Sequence, residues 1–150
     1  MTLAGINLTH VPYKSGGAVM PDLVGGQVQL MFAALPVVMP YIKSERLRAL
    51  ALTTARRFHS LPDLPTIAEL GYRGYDFSSW FGILAPGATP RDIIAKLNAE
   101  VVKATKQSDV RERLSEYEIF GSSADEFAAF IKADIVKAGK IVRDSGAAVD

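Results

Sequence analysis

His10-Val11-Pro12-Tyr13-Lys14-Ser15-Gly16-Gly17, followed by Ala18 to Val24, Gly25-Gly26 and Val28-Gln29-Leu30-Met31-Phe32, is the stretch that decides the fold. Leu8 to Tyr13 reads as a short strand, and Ser15-Gly16-Gly17 as the turn that ends it. Ala18 to Val24 predicts a brief helix closed by the glycine pair, because glycine accepts the left-handed backbone of a helix C-terminus. Val28 to Phe32 predicts a second strand, apolar on both faces and therefore fully buried. Strand, turn, helix and strand in this order call for a crossover connection and a parallel sheet.

The same alternation continues outward. Leu35 to Ile42 predicts a helix with Pro36 near its start, and Leu47 to Leu52 a third strand. Arg56 to Pro65 is a loop. Thr66-Ile67-Ala68-Glu69 forms a capping box that opens a short helix, which Gly71 closes. Tyr75 to Ala85 is the longest extended segment, ended by Pro86-Gly87. Beyond it the pattern turns helical. Thr89 is read as the cap of a helix with Pro90 at its first position, and Ile93, Ile94, Leu97, Val101 and Val102 share a face. Ser108 starts another helix, with Val110 and Leu114 inward, and Tyr117 to Phe120 reads as a short strand. Ser123-Ala124-Asp125-Glu126 is a second capping box. It opens a long helix with Phe127, Phe130, Ile131, Ile135, Val136 and Ile141 at helical spacing, ended by Gly146.

Composition narrows the function. The chain has 150 residues, of which 49% are hydrophobic, enough for a core. Its 17 Lys and Arg stand against 16 Asp and Glu, a formal charge of +1 that gives no reason to expect a nucleic-acid partner. Lys43, Arg46, Arg48, Arg56 and Arg57 form a locally basic stretch, read as a solvated turn and helix end. Without cysteine there is no disulfide, iron–sulfur cluster or thiol catalysis. No apolar run is long enough to span a bilayer. Met1 to Asn7 carries no export-signal pattern, so these residues read alone point to the cytoplasm.

Catalytic chemistry finds little support. His10 and His59 are the candidate imidazole bases, one in an apolar strand and one in a loop, and no serine sits on a nucleophile elbow. A hydrolase using Ser15 or Ser79 with His10 is kept as an alternative. No metal-ligand spacing and no phosphate-binding glycine loop is present, so no cofactor is expected. The Tyr13-Lys14-Ser15-Gly16-Gly17 turn is the stronger candidate. Its glycines let backbone amides converge, the following helix N-terminus adds a positive dipole, Ser15 can donate and Lys14 brings charge. A carboxylate suits such a place, although an ordinary strand-to-helix turn explains the same residues equally well. Ser78-Ser79-Trp80-Phe81 either lines a cleft or belongs to the core.

His10-Val11-Pro12-Tyr13-Lys14-Ser15-Gly16-Gly17 resembles the H-V-P-Y-K-G-G-G signature of the Bug-type receptors, the substrate-binding proteins of tripartite tricarboxylate transporters. The similarity runs on in register. Asp22-Leu23-Val24-Gly25-Gly26-Gln27-Val28 is similar to D-L-L-G-G-Q-V, and Leu47-Arg48-Ala49-Leu50-Ala51 to L-R-A-L-A. Leu61-Pro62-Asp63-Leu64-Pro65-Thr66 resembles L-P-D-V-P-T. Trp80-Phe81-Gly82, Ala85-Pro86-Gly87 and Thr89-Pro90 resemble W-F-G-L-x-A-P-x-G-T-P.

The resemblance implies an α/β architecture, part of a type II periplasmic binding protein-like fold with two lobes and mixed, mainly parallel sheets flanked by helices. It implies no enzymatic activity, a small carboxylate as ligand, membrane transporter subunits as partners and a periplasmic location. Residues 1–78 would be a portion of lobe two with the ligand turn. Residues 79–150 would be the hinge return strand and the helical C-terminal portion of lobe one. Carried onto this chain, the ligand-binding positions are Tyr13, Lys14, Ser15, Gly16, Gly17 and Ala18, with Ala33, Ser79 and Trp80 nearby. Two departures stand out. Ser15 replaces a glycine of the signature, and Gln29-Leu30-Met31-Phe32-Ala33 replaces D-L-M-F-D, so Ala33 implies a roomier, less acidic pocket. Family members are also much longer, so the resemblance implies the C-terminal half only. A homodimer completing the missing lobe, or a fragment that acts only by oligomerising, follows as an expectation.

Overall fold

Five helices organise the computed structural model, which describes residues 4–145. Helix α1, Met20–Val24, begins with Pro21 in its first turn, where a missing N–H costs nothing. It starts two residues later than the apolar pattern predicts, because Ala18 is engaged in the preceding turn through its amide bond to Ser15 O, 3.1 Å. At its end, Gln27 N–H donates to Asp22 O at 2.8 Å and Gly26 N–H to Leu23 O at 3.2 Å. Gly26 has φ +76°, so the helix closes in a Schellman motif with glycine where the left-handed residue falls. Helix α2, Leu35–Lys43, closes in the same way. Arg46 N–H donates to Tyr41 O (2.9 Å) and Glu45 N–H to Ile42 O (3.0 Å). Here the left-handed position, φ +58°, is held by Glu45.

Helix α3, Arg91–Ala104, does not begin as the sequence predicts. Pro90 is its N-cap, with φ −56° and ψ 145°, and Ile94 N–H donates to Pro90 O at 3.0 Å. Thr89 is instead engaged in the turn before it, through its amide and Pro86 O. Helix α4, Ser108–Arg113, and helix α5, Ala124–Ser145, follow. The capping box at α5 forms as read. Ser123 N–H and Oγ both donate to Glu126 Oε2 (2.8 and 2.7 Å), while Glu126 N–H returns to Ser123 Oγ (3.2 Å). The serine hydroxyl, then its amide, hold the Glu126 carboxyl below its ordinary value. Gly146, the expected stop of α5, lies outside the described residues.

The other capping box, at Thr66, forms without the helix expected after it. Thr66 N–H donates to Glu69 Oε2 at 2.7 Å and Glu69 N–H to Thr66 Oγ1 at 3.2 Å. Leu70, Gly71 and Tyr72 then complete a single turn, with Gly71 at φ +114°. Thr66 itself is 1% exposed and forms a parallel β-bridge with Leu52. That bridge rests on Leu52 N–H to Pro65 O and Ile67 N–H to Leu52 O, both 2.8 Å.

No regular ladder joins the stretches read as strands, Leu8–Tyr13, Val28–Phe32, Leu47–Leu52, Tyr75–Ala85 and Tyr117–Phe120, among the described residues. Backbone groups of a strand need a neighbour about 4.8 Å away to pair with, and here the pairing is confined to the Leu52–Thr66 bridge and the Phe77 N–H to Thr53 O bond, 2.8 Å. The full burial expected for Val28–Phe32 is likewise absent: Leu30 is 44% and Phe32 66% exposed.

The described residues form two units. One comprises 10–82 with 115–117, and contains α1, α2 and the Thr66 bridge. Its buried side chains are Val19, Met20, Met39 and Thr66. Lys43 and Ser60 both reach Glu116, at 3.4 Å, and Phe81 meets Tyr117 edge-on at 5.8 Å between ring centroids. The other unit comprises 4–9, 83–114 and 118–145. In it α3 packs against α5, and Asn98 Nδ2 donates to Ser122 O at 2.9 Å. Neither of these helices has a fully buried residue.

Glu45 gives a direct test of backbone strain. A left-handed conformation costs an L-residue about 1–2 kcal/mol, offset in part by the larger entropy glycine loses on folding. Glu45→Gly is expected to stabilise the chain by about 1 kcal/mol, a rise of about 2–4 °C in thermal midpoint. An unchanged or lowered midpoint would show that α2 closes without strain.

Candidate ligand-binding turn

Tyr13 to Ala18 lies entirely within the first unit and on its surface, with Tyr13 half-buried and the other five residues exposed. Ala18 N–H donates to both Ser15 O (3.1 Å) and Ser15 Oγ (3.3 Å), and Met20 N–H to Gly17 O (3.3 Å). Ser15 thus caps the turn as an acceptor, while its own hydroxyl proton has no acceptor among the described residues. The amides of Gly16 and Gly17 likewise have no partner, and Lys14 no ion pair, among the described residues. Two adjacent amides, a hydroxyl and an ammonium group form a concentration of donors open to solvent. The helix dipole expected to assist them is a lesser matter. Helix α1 has five residues and begins at Met20, three positions beyond Gly17, so few peptide dipoles are aligned.

The turn is braced on both sides. Tyr13 Oη donates to Asp22 Oδ2 at 2.7 Å, linking the start of the turn to the first turn of α1. That bond, helped by burial and the carboxylate charge, raises the phenol above its ordinary value of 10.0. A Cβ on Gly16 would lie 3.6 Å from Met31 Cε and 4.0 Å from Val37 Cγ1, so the turn rests beside the segment that carries Ala33. Ala33 is exposed. Ser79 is exposed and Trp80 is 38% exposed, so Trp80 is not the core residue that the sequence allowed. Both follow Phe77, whose amide ties this segment to Thr53. His10, the base of the hydrolase alternative, makes no hydrogen bond to Ser15 or Ser79 among the described residues.

Asp22 is the residue that reading the sequence for function missed. It is nine positions from Tyr13 and on the far side of a turn, where neither helical nor strand periodicity relates two side chains. An acid in the first turn of a helix reads simply as a partner for the helix dipole. Elsewhere in this unit, an open depression of about 410 Å³ is lined by Met20, Pro21, Val24, Gly25, Tyr41 and Arg46. Arg46 lies over the Tyr41 ring, 5.6 Å from its centroid. None of the sequence-predicted ligand residues lines it.

The path of the backbone is that of part of a periplasmic binding protein-like α/β fold. The R. palustris protein Rpa4515, solved with adipate, is 35% identical and superposes with a TM-score of 0.87 over 97% of this chain and 49% of its own. MatC from Rhodopseudomonas palustris, solved with bound malate, is 33% identical, with a TM-score of 0.71 over 91% of this chain and 47% of its own. Residues 1–147 match the tripartite tricarboxylate transporter family receptor, and the chain belongs to that family. Protein BugT of Bordetella pertussis is 35% identical over 148 residues, 97% of this chain and 45% of BugT. A UPF0065 protein from the tcbD-tcbE intergenic region of Pseudomonas sp. strain P51 is 35% identical over 142 residues, 93% of this chain and 42% of its own length. The chain therefore spans a little under half the length of each of these four relatives. The family is one of substrate-binding receptors, not enzymes.

The Tyr13–Asp22 bond can be read in solution. Because the folded pKa is raised, its contribution to stability is complete below pH 10.0 and is lost as pH rises through the raised value. In a phenolate absorbance titration, one of the five tyrosines should ionise late in the parent and revert towards 10.0 in Asp22→Ala. Superposable titration curves would mean that the bond is not formed.

Proposed function

We propose that this chain is the part of a periplasmic solute receptor that carries the ligand turn, capturing a small carboxylate for the membrane subunits of a tripartite tricarboxylate transporter. The observation that carries this reading is the pair of amides at Gly16 and Gly17, without a partner among the described residues, next in sequence to the Ser15 hydroxyl and Lys14. An ionised carboxylate accepts from such donors, and each charge-assisted bond contributes about 1.5–3 kcal/mol. The adipate and malate held by the two solved relatives support a carboxylate as the guest. On this reading Tyr13, Lys14, Ser15, Gly16, Gly17 and Ala18 hold the ligand, and Ala33, Ser79 and Trp80 border it. Residues 1–78 and 79–150 belong to lobes two and one, whose closure over the ligand presents the loaded receptor to the transporter.

Addition of adipate or malate to the chain should give a saturable heat in titration calorimetry. Ser15→Ala should weaken it by about tenfold or more, the loss of one donated bond to a charged group. No heat with either acid would overturn the reading. An unweakened Ser15→Ala variant would remove Ser15 from the site.

A homodimer is the form we propose for the 150-residue chain in solution. Phe32, Phe81, Ile83, Leu84 and Phe120 are 66–80% exposed, and apolar surface of this kind favours association. Sedimentation should then give twice the 16.2 kDa of the chain. A sedimenting monomer would overturn the dimer and leave the carboxylate reading intact.

A further inference from the structure

Lys43 and Arg57, two cations of the basic stretch that follows α2, are paired with Glu116 and Glu69. Arg46, in the same stretch, meets no carboxylate among the described residues. It is exposed but held in place. Its amide closes α2 on Tyr41 O at 2.9 Å, behind the left-handed Glu45, and its guanidinium lies 5.6 Å over the Tyr41 ring. A guanidinium attracted to a ring face keeps its N–H donors for an anion. Beside it, Met20, Pro21 and Val24 of α1 give the depression of about 410 Å³ its apolar lining. Met20 is 4% exposed, so this lining is anchored in one of the unit's few buried side chains. No acid lines the depression, and Asp22 of the same helix accepts from the Tyr13 phenol.

We propose that this depression docks a protein partner that inserts an apolar side chain against Met20 and Val24 and offers a carboxylate to Arg46. Charge complementarity sets the partner's sign, because an unpaired guanidinium steers and selects an acidic surface. The open form of the depression sets the partner's kind. Small ligands are held where the protein buries roughly 70–90% of their surface, which a depression facing solvent does not do. A protein partner brings its own rim, which excludes water from the inserted side chain and strengthens the ion pair. Both walls are fixed beforehand, since α1 and α2 each end in a Schellman closure, so little order is lost on docking. None of residues 13–18 lines the depression, so docking there does not depend on what the turn holds.

Two methionine methyl groups report on the two places separately. Met20 lines the depression, whereas Met31 Cε lies 3.6 Å from where a Cβ on Gly16 would sit. The full chain, with isotope-labelled methionine methyl groups, is titrated with acetyl-Leu-Glu-Leu-Glu amide and followed by NMR. The Met20 signal should move saturably while Met31 stays still. Gln for both Glu in the peptide, or Arg46→Gln in the chain, should each weaken binding about tenfold, the loss of one bond between charged groups. The two changes together should cost no more than either alone, which a merely structural role for Arg46 would not produce. Ala for both Leu should also weaken binding about tenfold, for want of buried apolar surface. A still Met20 signal overturns the inference, as does movement confined to Met31, which would place the peptide at the turn. Hexanoate moving Met20 as strongly as the peptide would make this a small-molecule site. A Met20 signal that shifts on dilution of the chain alone would assign the face to a second copy. Either result overturns docking of an acidic partner, and each of these outcomes leaves the carboxylate reading to its own titration.

Discussion

Thr66 is the residue on which the ligand-turn unit depends. It is nearly inaccessible, yet each of its polar groups is met locally. Its amide binds Glu69, its hydroxyl accepts from the Glu69 amide, and its neighbours Pro65 and Ile67 hold Leu52 in a parallel bridge. Glu69 is in turn gripped by Arg57 Nε at 3.0 and 3.1 Å, and Arg57 Nη1 reaches Pro62 O at 3.0 Å. The Thr66 amide, then the guanidinium, keep the Glu69 carboxyl below its ordinary value. Backbone bonds on either side of Thr66, with the Arg57–Glu69 pair, thus close the loop 53–65 into a ring, and Phe77 N–H donates to Thr53 O beyond it. Burying a threonine without such partners would cost a few kcal/mol; here every cost is offset within a few residues.

The turn at 13–18 works by a different economy. Among the described residues its Gly16 and Gly17 amides have no partner. A surface amide loses little by facing water, so on the proposed reading they stay available to a ligand at small cost. The turn is held by the phenol bond to Asp22, and Met31 and Val37 lie 3.6 and 4.0 Å from where a Cβ on Gly16 would sit. Ser15 in place of the family's glycine fits the same design. Its oxygen accepts from Ala18 and its proton stays available, so one side chain both shapes the turn and adds a donor.

The apolar surface makes sense beside the length of the relatives. Phe32, Leu50, Phe81, Ile83, Leu84 and Phe120 are strongly exposed and fall in or beside stretches whose alternation reads as strand, while Ile135 and Val136 are exposed on α5. The chain spans 42–49% of relatives that include solved receptors with the same backbone path. Hydrophobic side chains at such positions are written for a packed interior, and the described residues provide that interior only around Val19, Met20, Met39 and Thr66.

Short-range features were legible in the residues themselves. Both capping boxes, the glycine closure of α1, the span of α2 and the Ser15-Gly16-Gly17 turn involve partners within about four positions, so local geometry alone determines them. The blocks from His10 to Pro90 likewise sufficed for the family. Pairing, burial and Tyr13–Asp22 were not legible. Apolar alternation says that a strand wants neighbours, but not whether the chain supplies them, and Phe32 stands in the open for that reason. Thr66 reads as a helix cap and proves to be a buried bridge, because Leu52 arrives from a distant part of the chain. Asp22 stands in the sequence only as the first residue of a family-like block, and the fold brings the Tyr13 phenol to it at 2.7 Å. Sequence determined what each segment could form with itself; tertiary structure decided which segments met, because hydrogen bonds and burial need a second partner that no local pattern names.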